Sequence, residues 1–91
     1  MPSYLVETYL SRGELRERAG RERGARAAAE ELAKGGDDVS FERSIHVPED
    51  EICFFVFDAP SSRLAALAAE RAGLSPTRVV AAITSTTKEE R

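Results

Sequence analysis

Tryptophan is absent from this chain of 91 residues, and cysteine, histidine and methionine occur once each. The single Cys53 excludes an internal disulfide framework and every CxxC metal or redox motif. It stands in an apolar run, where a buried, inert thiol is expected, because a reactive thiol needs a nearby cation and solvent access. No apolar run approaches the roughly 20 residues that span a membrane. The opening segment MPSYLVETYL has no basic leader region, which makes the cytoplasm the expected location. The net charge is only -3, so the basic field of a general nucleic-acid binder is missing. Catalytic motifs are missing too. There is no Gly-x-Ser-x-Gly, no glycine loop ahead of a helix to hold phosphate, and no recognised cysteine–histidine spacing.

What the chain does have is concentrated in residues 43–61, RSIHVPEDEICFFVFDAPS. Val39, Phe41, Ile45 and Val47 alternate as one face of a strand, with Arg43 interrupting them. Residues 52–57 are apolar on both faces, which suits a strand covered on both sides. Pro48 to Glu51 make the turn between the two.

An earlier strand spans residues 4–10. Ser11 then precedes Glu14 by three residues, the spacing of a reciprocal cap at a helix start. A helix is expected from Glu14 to about Lys34, with Leu15, Ala19, Ala25, Ala28, Ala29 and Leu32 as a thin apolar stripe. Glu14–Arg18, Glu17–Arg21 and Glu22–Arg26 are acid-before-base pairs four apart, each worth about 0.2–0.5 kcal/mol. Gly20 and Gly24 each weaken a helix by about 1 kcal/mol; they either permit a close approach to another backbone or mark a frayed first half, and fraying is the expectation. A second helix follows Pro60-Ser61, with Leu64, Leu67 and Ala68 on its inner face, Arg71 at the rim of that face, and Gly73 at its end. A last strand is expected over 78–85, then a loose polar tail over 86–91.

The order β-α-β-β-α-β is the ferredoxin-like arrangement, an α+β fold with a four-stranded antiparallel sheet, here one domain over 1–85. Two helices cover only one face of such a sheet. The first and third strands are apolar on both, so the pattern predicts a second copy packed sheet against sheet, a dimeric α+β barrel.

MPSYLVE, RSIHVPEDEICFFVFDAPS and AAERAGLSPTRV resemble the small bacterial nickel-binding-protein family, otherwise a domain of unknown function. The resemblance spans nearly the whole chain, except the first half of the first helix and the tail. It implies a ferredoxin-like protomer, a homodimer, and binding of nickel or another divalent transition metal. Metal-binding members carry a histidine in the second strand, at the position that Arg43 fills here. A guanidinium stays protonated and does not ligate divalent metals.

Candidate sites follow from chemistry-bearing residues in unusual places. Glu7 and Arg43 both lie mid-strand among apolar neighbours, where an unpaired charge is costly. They are expected either to pair with one another or to face a ligand, with Tyr9 adding a phenol. His46, with Glu42, is the metal candidate, and shared strand parity puts the two on one face with Ser44. Glu49, Asp50 and Glu51 lack calcium-loop spacing and read as a solvated turn. The expectation is a small homodimeric, non-catalytic binding protein. Its alternatives are a cofactor-independent barrel enzyme of the monooxygenase or isomerase kind, using Glu7, His46 or Asp58, or an accessory protein that docks on a partner.

Overall fold

The computed structural model describes residues 1–83, so the expected tail, 86–91, and the domain end at 85 lie outside the described residues. Six main elements follow one another in the expected order: β1 (Ser3–Tyr9), α1 (Leu15–Lys34), β2 (Ser40–Val47), β3 (Ile52–Asp58), α2 (Ser62–Arg71) and β4 (Arg78–Ala82). The strands form one antiparallel sheet in the order β2-β3-β1-β4. This is the α+β, ferredoxin-like arrangement.

Local chemistry explains the element ends. Ser11 caps a short 3-10 turn (Arg12–Glu14) by accepting from the Gly13 amide, and α1 begins only after it, without a side-chain cap. The reciprocal Ser11–Glu14 cap therefore does not form. Ser61 does cap α2, accepting from the Leu64 amide at 3.2 Å. Gly73 takes φ +75°, a region that a β-carbon disfavours. The Leu74 amide then reaches the Ala69 carbonyl at 3.0 Å, and buried Leu74 closes the helix end. Pro48 starts a second 3-10 turn (Pro48–Asp50), which Glu51 leaves in the left-handed region.

Both helices pack on one face of the sheet. There Val6, Phe41, Phe55 and Phe57 meet Ala25, Ala29 and Leu32 of α1 and Ala65, Ala68 and Ala69 of α2. Phe41 stacks edge-on against Phe57, with ring centroids 5.4 Å apart. The inner face of α2 is thus an alanine face, with Leu64 and Leu67 only partly buried beside it. Small side chains let the helix backbone approach the aromatic layer closely.

Helix α1 runs unbroken through Gly20 and Gly24. A β-carbon at Gly24 would lie 3.7 Å from the Ala72 carbonyl, which makes Gly24 a point of close approach to the end of α2. Glu17–Arg21 pairs as expected at 3.4 Å, but Arg18 pairs onward with Glu22 at 3.3 Å. Arg26 instead lies 5.0 Å from the centre of the Phe41 ring.

The sequence pattern of β2 needs one correction. The register slips between Phe41 and Arg43, so Glu42 is an extra residue in a β-bulge. Strict alternation fails at that point. Phe41 faces the helices, yet Arg43, Ile45 and Val47 share the other face with Val56, Phe54 and Ile52.

Candidate functional site

Two polar clusters stand out, one on each side of the sheet. The first lies on the face without helices. Leu5, Glu7 and Tyr9 of β1 lie there, flanked by Phe54 and Val56 of β3 and by Arg78 and Val80 of β4. Glu7 and Arg43 share this face, as one sequence reading requires, but β3 runs between their strands. They do not pair. Glu7 accepts a hydrogen bond from Arg78 Nε at 3.1 Å, and that arginine side chain is 65% exposed. Arg43 reaches Glu42 at 4.0 Å, too long for a hydrogen bond, and its side chain is 49% exposed. Tyr9 sits at the rim, its hydroxyl 3.3 Å from Glu51.

The second cluster lies between the sheet and the first half of α1. The bulge at Glu42 turns Ser44 and His46 toward the helices, in register with Phe55 and Cys53. Ser44 Oγ accepts from Arg18 at 3.2 Å and donates to Glu22 at 3.0 Å. His46 lies directly opposite buried Cys53. Both imidazole nitrogens are shielded from solvent and have no hydrogen-bond partner, as is Glu42 Oε1. Burial pushes the Cys53 thiol up from its ordinary value near 9.0, with Arg18 and Arg21 opposing and Glu22 reinforcing the shift. The thiol therefore stays protonated and unreactive at neutral pH, as the sequence suggests.

The metal candidates are not brought together within one chain. His46 faces α1, whereas Glu42 leans toward Arg43 of the opposite face. They stand four positions apart along the strand, about 13 Å of backbone. Among the described residues no three histidine, cysteine, aspartate or glutamate side chains converge as a metal site. What lies at His46 among the described residues falls short of the three or more donors that transition-metal sites use.

Sequence reasoning missed Arg78, Arg18, Glu22 and Ser44. The arginine at the start of β4 was a readable signal, because antiparallel pairing with β1 carries it past Glu7. The Ser44 cluster depended on the bulge, which leaves no clear mark in the sequence. Two open surface depressions lie elsewhere. One of about 580 Å³ runs beside α2 from Asp37 to Glu70, and one of about 540 Å³ lies between α1 and the end of α2. Neither includes a sequence-predicted site residue. Among the described residues no helix is long and apolar enough to cross a membrane. Comparison with family models, curated proteins and solved structures gives no match for this chain.

Proposed function

We propose that the protein works as a homodimeric, non-catalytic binding module whose two sheets face one another and enclose a small-ligand site. One observation carries this reading: the helix-free face is a partly exposed apolar surface that also holds both signs of charge. Tyr9 and Ile45 are 60% and 43% exposed, with Leu5, Ile52, Phe54, Val47 and Val80 half-buried around them. A monomer gains nothing by leaving such a surface in water.

A second copy fits better than an unrelated partner for two reasons. Glu7, Glu42, Arg43 and Arg78 put acid and base on the same face, so a self-complementary twofold pairing can set acid against base. The buried and unpartnered Glu42 Oε1 needs a donor of this kind. Size is adequate as well. Four strands about 4.8 Å apart and about six residues long give a flat area of roughly 400 Å² per copy. Side-chain relief raises it toward the about 800 Å² per partner of a standard interface.

Between two such sheets the ligand-facing groups are Arg43, Tyr9 and the Glu7–Arg78 pair. Nickel, or another divalent transition metal, is the alternative ligand. It is supported by the two unpartnered nitrogens of His46; Glu42 lies toward the other face and does not complete that set, so the further donors would come from outside the seam between the sheets. Calorimetric titration with nickel, zinc and copper, with light scattering for mass, tests both parts. Saturable micromolar binding on a dimer that His46→Ala abolishes supports the metal. A dimer without binding leaves the Arg43 site, and a monomer overturns the proposal.

A further inference from the structure

Helix α1 is two helices in energetic terms. Its second half buries Ala25, Ala28, Ala29 and Leu32, whereas no residue from Leu15 to Gly24 is buried. Leu15 is 55% exposed and Ala19 is exposed, so the apolar stripe expected there does not reach the sheet. What holds the first half down is polar. Arg18 and Glu22 bond Ser44, and Arg21 Nη1 donates to the Tyr9 carbonyl at 3.1 Å. Ahead of the helix, Arg12 is tied to the turn after β2 through Glu51 at 3.7 Å and the Glu49 carbonyl at 3.4 Å. All these contacts are exposed or only part-buried, a class worth little each and weakened by salt. Ten residues of isolated helix are marginal in water, and Gly20 lowers that stability further.

Beneath this segment lies the least satisfied chemistry of the molecule. Cys53 is fully buried, and the charged groups acting on it, Arg18, Arg21 and Glu22, all come from the first half of α1. His46, across from it, keeps two shielded nitrogens without partners, a state that costs the desolvation of each group left unbonded. Water would satisfy both nitrogens if the segment lifted. Closure is therefore opposed by the imidazole and supported only by surface-grade polar contacts.

We propose that residues 11–24 form a strap that opens about Gly24 while the rest of the fold stays intact, giving reagents and ligands access to the Cys53–His46 pair. The strap lies on the helix-covered side of the sheet, so opening is independent of any dimer on the other face. Local opening of this kind has a free energy below that of global unfolding and exposes little surface.

Cys53 is the chain's one thiol, which makes it a direct reporter. The test is its labelling rate with an aromatic disulfide reagent on the full chain, measured across a low urea series. The strap predicts labelling faster than global unfolding permits, with a urea slope well under half the global one. Raising salt from 50 mM to 1 M should speed labelling. Gly20→Ala, which meets no close obstruction, should slow it about five-fold through helix propensity alone. Arg18→Ala should speed it. Labelling that follows global unfolding with the full urea slope, unmoved by salt or by Gly20→Ala beyond the change in global stability, would overturn the proposal.

Discussion

The two faces of the sheet use the same residue types and come to opposite ends. On one, Phe41, Phe55 and Phe57 are locked under alanine-faced helices, and the aromatic layer is dry. On the other, Phe54, Ile52, Leu5 and Ile45 alternate with the same strands' inward residues and meet no helix. The difference is not hydrophobicity. It is that the chain has two helices to place, and right-handed crossovers put both on one side. The first face is complete within one chain, whereas the second is left partly exposed. Its charges are arranged accordingly, in pairs that stay solvated in a single chain.

Substitutions can sharpen that contrast. The largest effect is expected from Phe57→Ala on the covered face, a loss of about 3–5 kcal/mol in chemical unfolding, because the fully buried ring leaves a cavity. Ile45→Lys on the helix-free face should do something different: the mass halves, and unfolding loses its dependence on protein concentration. Glu7→Gln should cost less than about 1 kcal/mol in that Ile45→Lys background, since the pair with Arg78 is mostly exposed there. In the wild type the same change should cost more, because the proposed dimer covers the pair. Equal costs in the two backgrounds would count against a covered face.

The smallest effect concerns pH. Burial raises the Cys53 thiol in the folded state, so folded protein holds its proton where unfolded protein has released it. Stability is unaffected below the unfolded thiol's value and declines as pH rises above about 9 toward the folded value. Thermal melts between pH 8 and 10 should show a decline that Cys53→Ala flattens.

Most of the fold was legible because it follows from period and punctuation. Apolar alternation marked the strands, and Gly73 marked the end of α2. The expected helix from Glu14 begins one residue later, at Leu15, because a 3-10 turn takes up Ser11's cap. The candidate site was harder to read. One inserted residue at Glu42 reverses which side chains of β2 face the helices, and a bulge has no composition of its own. Hence Glu42 and His46 looked like neighbours on one face and are not. Glu7's partner was misjudged for a related reason. Parity tells which face a residue occupies but not which strand lies beside it, and β4, not β2, flanks β1 at that edge. Of the two readings of Gly20 and Gly24, close approach or weak point, the contact at Ala72 gives Gly24 the first.

The account turns on what covers the helix-free face, and light scattering of wild type beside Ile45→Lys at micromolar concentration addresses that directly. The prediction is a wild-type mass twice the 9.9 kDa of the chain, falling to a single chain in the variant. A wild-type protein that stays at 9.9 kDa, or a variant that stays dimeric, would contradict it.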